Sequence, residues 1–209
     1  MKITDWYFIR HAPVLGAKEN IYKSADEPAD LSDQNALDWL AEKLPEEAIW
    51  HCSPLQRTRQ TAEALAIRKE NPTDLTADAR LTEQDFGDWY GLNFDEVWQK
   101  IKTLPPHNWS LLAADSLPPN GEAFTDVCSR ATDFMQHHQS SSDKAPHIAV
   151  THAGVIRAIL GHCLDLSPDQ ALNFALEPLS VTHLQYSPQD FRGGHWRLVR
   201  LNHCYGYGS

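Results

Sequence analysis

Two apolar runs of this chain end in histidines. Trp6-Tyr7-Phe8-Ile9 leads into Arg10-His11, and Ile148-Ala149-Val150-Thr151 leads into His152-Ala153-Gly154. A neutral imidazole is a good nucleophile toward phosphorus, and the planar fork of Arg10 suits phosphate oxygens. Small residues such as Ala153 and Gly154 at a helix start let a ligand approach free backbone N–H groups. Each histidine alone has a plainer explanation: Arg10 and His11 as partners of a surface acid, His152 as a helix cap. The pair, drawn from distant parts of one chain with an arginine beside the first, points to a pocket for an anion.

Further cations and acids lie between them. Arg57 and Arg59 fall in Ser53-Pro54-Leu55-Gln56-Arg57-Thr58-Arg59-Gln60-Thr61-Ala62, at the start of an expected helix. Cations there oppose the helix dipole unless an anion is shared with them. Their side chains point about 200° apart around a helix, so one should face the pocket and the other solvent. Glu83, Asp85 and Asp88 lie in Leu81-Thr82-Glu83-Gln84-Asp85-Phe86-Gly87-Asp88-Trp89. A carboxyl among hydrophobes can be tuned to donate a proton near neutrality, and the residues themselves barely rank the three. The dipeptides His51-Cys52, His162-Cys163 and His203-Cys204 raise the question of zinc. Adjacent side chains of a strand point to opposite faces, so such a dipeptide delivers both ligands poorly; no metal and no cofactor is expected.

These residues need a scaffold that brings strand ends together. Strands are expected near 5–10, 48–52, 147–151, 181–186 and 196–201, with a weaker one near 74–79. Ser32 or Asp33 should cap a helix running to Leu44. Pro54 should occupy the first position of a second helix, running to about Arg68, and a third should span 121–138. Alternating strands and helices imply an α/β fold, a three-layer α/β/α sandwich with a mostly parallel sheet, in one domain over 1–209. In such sheets ligands bind beyond the carboxyl ends of the strands. Residues 87–120 carry Trp89, Tyr90, Phe94, Trp98 and Trp109 and read as an inserted, partly helical cover. The cover is either a lid over the pocket or a small satellite core.

A length of 209 residues suffices for a large core without staples. The net charge of −10 argues against nucleic acid as a partner, while a local arginine cluster can still hold a small anion. No stretch has the length of a membrane span, the N-terminus lacks signal-peptide build, and the four cysteines show no CxxC spacing. A cytoplasmic protein, monomer or homodimer, is expected.

In order along the chain, Arg10-His11, Ser53–Ala62, Leu81–Trp89 and Val150–Arg157 resemble the motifs of the histidine phosphatase superfamily. That group contains phosphoglycerate mutases, fructose-2,6-bisphosphatases and related phosphomonoesterases. The resemblance spans nearly the whole chain. It implies His11 as nucleophile, Arg10, Arg57 and His152 as the phosphate cage with backbone at Ala153, and Glu83 as proton donor. Asp85-Phe86-Gly87-Asp88-Trp89, Gly91-Leu92 and Pro118-Pro119-Asn120-Gly121-Glu122 look most like the alpha-ribazole-phosphate phosphatase branch. Trp89, Tyr90, Trp98 and Trp109 would suit a flat or apolar leaving group or else pack the cover, and Trp89 is the one expected to bind substrate. Ala12, Pro13, Val14 and Ala17 replace the family's usual loop after the nucleophile, so Asn20 is the substitute expected to reach phosphate. Ala153 and Ala123 also stand where Gly and Ser are common. The resemblance implies a phosphomonoester hydrolase acting on a small phosphorylated metabolite. The alternatives are a mutase or a non-catalytic phospho-ligand binder.

Overall fold

A computed structural model of the chain describes residues 3–16, 24–70, 75–139, 145–189 and 192–206. The strands are β1 (Thr4–Arg10), β2 (Ile49–Cys52), β3 (Thr76–Ala77), β4 (His147–Thr151), β5 (Val181–Tyr186) and β6 (Trp196–His203). They form one sheet in the order β3-β2-β4-β1-β5-β6. Pairing is parallel from β3 through β2 and β4 to β1, then antiparallel from β1 through β5 to β6. The expected strands are all present. The weak one shrinks to Thr76–Ala77, and the sheet is mixed, with its parallel part carrying the strand ends of interest.

The helices are α1 (Gln34–Lys43), α2 (Gln56–Arg68), α3 (Phe94–Ile101), α4 (Phe124–Gln139), α5 (Ala153–Leu164) and α6 (Pro168–Ala171). Side chains alternate across β1. Trp6 and Phe8 pack with Phe134, Met135, Ile156 and Ile159 from α4 and α5. Ile9 packs on the opposite face with Leu37 and Leu40 of α1 and Leu65 of α2. The result is the three-layer sandwich.

Helix starts differ in detail from expectation. Asp33 caps α1, accepting from the Ala36 N–H at 3.0 Å. Helix α2 begins at Gln56 after Leu55, not at Pro54, and its side-chain acceptor is Asp26, which takes the Gln56 N–H. Ser53 is engaged elsewhere, as described below. Helix α4 begins at Phe124, three residues later than expected for a physical reason at Gly121: a Cβ there would sit 2.5 Å from the Asp85 carbonyl oxygen.

That contact is one half of a neck closing the inserted cover. The Glu122 N–H donates to the Asp85 carbonyl at 2.8 Å, and the Asp88 N–H donates to the Pro119 carbonyl at 3.0 Å. Gly87, at φ +50°, would place a Cβ 2.2 Å from that same Pro119 oxygen. Two glycines thus let the ends of the insertion pack backbone to backbone. Beyond the neck, Trp89, Val97, Ile101 and Leu112 form a separate small core.

Candidate active site

The parallel register pairs Arg10 with Thr151, so the two residues that follow, His11 and His152, emerge side by side. The His11 N–H donates to the Thr151 carbonyl at 2.9 Å. Their rings lie 5.0 Å apart, centroid to centroid, inclined at 61°. Both are buried.

The bonding of His11 fixes its tautomer. Nδ1 lies 2.6 Å from the Ala12 carbonyl oxygen, which can only accept, so Nδ1 carries the hydrogen. Nε2 is left with its lone pair and accepts from Arg57 Nε at 3.3 Å. Burial above all, then the Arg57 guanidinium, pull the His11 pKa down to about 3, the Ala12 carbonyl opposing and Arg10 assisting. The ring is neutral at physiological pH, the form that can attack an electrophile.

Three elements supply the rest of the site, two of them with a guanidinium. Arg57, only 1% exposed, lies on the inner side of α2, whereas Arg59 is exposed. Arg57 also donates through Nη1 to the Ala25 carbonyl at 2.7 Å. Arg10 donates to the Leu176 carbonyl, while its buried Nε has no hydrogen-bond partner. His152 is the N-cap residue of α5. Its Nε2 lies 2.9 Å from Ser53 Oγ, and its Nδ1 is buried without a partner. Burial, then His11 and Arg57, hold the His152 pKa well below the usual imidazole range. A buried polar atom without a partner costs roughly 1–3 kcal/mol. Arg10 Nε, which can only donate, is thereby left able to bond a ligand's acceptor oxygen.

The three acids that the sequence left open have different surroundings. Asp85 accepts from the Gly87 N–H at 2.8 Å, and the Asp88 carboxylate accepts from Asn120 Nδ2 at 3.1 and 3.2 Å. Both belong to the neck of the cover. Glu83 instead lies against the first turn of α5, where a Cβ on Gly154 would fall 2.4 Å from its Oε1. The approach is open because residue 154 has no side chain. Glu83 is positioned by its neighbours: the Thr151 hydroxyl donates to the Leu81 carbonyl at 2.7 Å, and Gln84 donates to the Glu122 carbonyl at 2.8 Å.

Glu83, Ala153 and Gly154 line a cavity of about 230 Å³. Trp89 does not line it. At 3% exposure it is buried in the core of the cover, whereas Trp109 does line the cavity and is 75% exposed. Asn20 lies outside the described residues, as does Ala17. The altered loop Ala12-Pro13-Val14 is held by other means: the Ala12 N–H donates to Thr61 Oγ1 at 3.0 Å, and Val14 bridges to Ala29.

Sequence reasoning missed Ser53, Thr61 and Arg157. Thr61 stands one turn after Arg57 and Arg157 one turn after Ala153, spacings that place each pair on one helix face. Among the described residues, no group of three His, Cys, Asp or Glu side chains is arranged to hold a metal ion.

The sheet order, the paired strand-end histidines and the arginine from α2 define a class, and comparison with known proteins agrees. The model of the histidine phosphatase superfamily (branch 1) matches residues 6–203, and the chain belongs to that family. Among curated relatives, the 2,3-bisphosphoglycerate-dependent phosphoglycerate mutase of Bartonella henselae is 30% identical over 82% of this chain and 81% of its own length. The enzyme of that name from Bartonella bacilliformis is 31% identical over 120 residues, 55% of its length. The adenosylcobalamin/alpha-ribazole phosphatase of Salmonella typhimurium is 23% identical over 82% of this chain and 85% of its own. The solved structure titled Mycobacterial hydrolase 1 superposes with a TM-score of 0.81 at 22% identity, covering 97% of this chain and 100% of that one.

Proposed function

We propose that the protein is a phosphomonoester hydrolase working through a phosphohistidine at His11. The observation that carries this reading is the tautomer: a buried, neutral imidazole with its lone-pair nitrogen turned toward Arg57. The substrate phosphate lies among Arg10, Arg57, His152 and the N–H groups at Ala153. His11 Nε2 attacks phosphorus, the ester P–O bond breaks, and its electron pair leaves on the alkoxide oxygen. Glu83 supplies the proton to that oxygen. Water then attacks the phosphohistidine, the carboxylate of Glu83 takes its proton, and the N–P electrons return to Nε2. Because charge spreads over the equatorial oxygens, the fixed cations contribute most of the stabilisation.

The working context is that of a cytoplasmic enzyme acting on a small phosphorylated metabolite, with neither nucleic acid nor membrane as partner. No helix among the described residues is long and apolar enough to cross a membrane. Alpha-ribazole 5′-phosphate is the first substrate to test, on the strength of the Salmonella relative and the Phe86–Trp89 and Pro118–Glu122 strings. The Bartonella relatives favour phosphoglycerate mutase activity as the second reading.

Rapid quenching during turnover of ³²P-labelled phosphomonoester should trap an alkali-stable, acid-labile label on His11. Absence of label, with turnover intact, sinks the mechanism. Feeding 3-phosphoglycerate and looking for 2-phosphoglycerate separates the two readings. Replacing Glu83 by Gln should slow alkyl phosphates by about 10²-fold or more, and p-nitrophenyl phosphate far less, since its leaving group scarcely needs a proton.

A further inference from the structure

The cavity beside Glu83 holds a cation that the mechanism above does not use. Arg157 lines it from α5, one turn beyond Ala153. Its Nε is spent on the Phe174 carbonyl at 2.8 Å. That bond fixes the plane of the guanidinium, and among the described residues its two terminal nitrogens make no hydrogen bond. Among the described residues no carboxylate comes within 4.0 Å of Arg157 to form an ion pair, Glu83 included. A half-buried guanidinium is strongly favoured by an anionic partner that can take its paired N–H donors.

The remaining walls have a different chemistry. Leu112, Phe124 and Leu172 are buried and apolar, and the exposed indole of Trp109 stands beside them. Leu112 belongs to the small core of the cover, Phe124 and Leu172 to the main core. The cavity therefore lies where the insertion meets the sandwich, with the proton donor on its wall. An engineered apolar cavity of about 150 Å³ holds benzene. About 230 Å³ leaves room for a ring and one further group.

We infer that this cavity is the leaving-group subsite and that Arg157 selects phosphomonoesters whose alcohol is apolar or aromatic and carries a second anionic group. The inference rests on the hydrolase reading for its position next to Glu83, and it narrows the substrate class of that same site toward esters such as phosphoglycerates, whose alcohol carries a carboxylate, and away from alpha-ribazole 5′-phosphate, whose leaving alcohol is uncharged. It has a chemical corollary. An anion seated on Arg157 lies in the same cavity as the Glu83 carboxyl and so holds the alcohol end of the ester beside it.

The test compares 3-carboxyphenyl phosphate with phenyl phosphate, whose leaving phenols are of nearly equal acidity. The wild-type protein should prefer the carboxylate by at least about tenfold in kcat/KM, the scale of one charge-assisted hydrogen-bonded pair. In Arg157→Leu the ratio should collapse to within about twofold of unity, and in Arg157→Lys most of the preference should survive, as expected of a cation rather than of shape. A wild-type ratio near one, or a preference undiminished in a folded Arg157→Leu, overturns the inference. A second measurement does not need turnover: titration with benzoate should change the tryptophan fluorescence through Trp109 and compete with substrate, whereas benzamide should bind at least about tenfold more weakly. Equal binding of the two overturns the subsite even where Arg157→Leu fails to fold. If neither phosphate is hydrolysed but benzoate binds selectively, the hydrolase reading fails and the anion cavity stands.

Discussion

Two groups of buried histidines share this sheet, and they have much in common. His11 and His152 stand at the carboxyl ends of β1 and β4. His51 and His147 lie back along β2 and β4, where His51 Nε2 and His147 Nδ1 are 3.0 Å apart. Each group contains polar atoms with no partner: Arg10 Nε and His152 Nδ1 in one, Trp6 Nε1 and His51 Nδ1 in the other. Burial pulls His51 to about 3, as it does His11. Depressed pKa values and orphaned nitrogens therefore do not by themselves identify a site. The surroundings do. The second group is sealed: Trp6 stacks on His147 at 4.0 Å, Phe134 meets His51 edge-on at 5.3 Å, and the neighbouring cation Arg80 is already paired with Asp78 at 2.6 Å. The first is as deeply buried, but has Arg10 and Arg57 close by and helix N-terminal amides at α5. One group packs the interior, and the other is arranged to receive an anion.

The sharpest way to break this contrast is to delete one imidazole from each. His11→Ala should lower turnover by at least about 10³-fold, in keeping with the loss of a covalent nucleophile, with the fold retained by circular dichroism. His147→Ala should do the reverse. It removes the ring under Trp6 and leaves His51 unpaired, costing about 2–4 kcal/mol, or a melting temperature lower by roughly 5–12 °C, with kcat/KM within a few-fold of wild type. If His147→Ala abolishes turnover while remaining folded, the division between the groups is wrong. Arg57→Ala and Arg80→Ala extend the test at smaller amplitude. The first should cost about 10²–10³ in kcat, the scale for a fixed donor to a developing charge; the second should leave kcat nearly untouched.

Acid should act on both groups at once. The histidines at 11, 51, 138 and 152 all titrate below their ordinary value, chiefly through burial. Below about pH 6.5 the unfolded chain binds protons at these sites and the native protein does not. Stability is thus fully present above that value and is lost as pH falls from about 6.5 toward 3. Melting curves at about pH 7.5, 6.5 and 5.5 should show a steep decline. His51→Gln removes one titrating group, so its melting temperature should fall less between about pH 7.5 and 5.5, by roughly 2–4 °C. A melting temperature flat between those values would falsify the view that these rings are held neutral by the fold.

The histidine pair was legible in the sequence because both members end apolar runs. The angular relation of Arg57 and Arg59 required that one turn inward, and the family resemblance was needed to single out Arg57. The inner histidines were not, since His51 and His147 looked like ordinary strand residues whose pairing depends on how β2, β4 and β1 lie together. Trp89 misled for a similar reason. The aromatic-rich cover could be a lid or a satellite core, and past the neck formed by Gly87 and Gly121 Trp89 is folded into the core of the cover. The string around Asp85–Trp89, which resembles the alpha-ribazole-phosphate phosphatase branch, also closes the insertion. Local pattern reveals which side chains leave a strand, and only the assembled backbone reveals which of them meet.

The smallest expected effect is also the most specific to the first group. Gly154→Ala introduces a Cβ that would lie 2.4 Å from Glu83 Oε1. What must give is the end of a flexible side chain, so stability should change by less than about 1 kcal/mol. Catalysis should respond unevenly. A carboxyl displaced by about an ångström still leaves His11, Arg57 and His152 in place, so p-nitrophenyl phosphate, whose leaving group needs little protonation, should be hydrolysed at nearly the wild-type rate. Alkyl phosphates should slow by roughly tenfold, because proton transfer depends on hydrogen-bond reach. Gly87→Ala is the companion control: its Cβ would meet the Pro119 backbone oxygen at 2.2 Å, in a left-handed conformation, so its effect should fall on stability and on all substrates alike. If Gly154→Ala slows both classes of substrate equally, the contact between Glu83 and α5 supports the fold of the site and not the delivery of a proton.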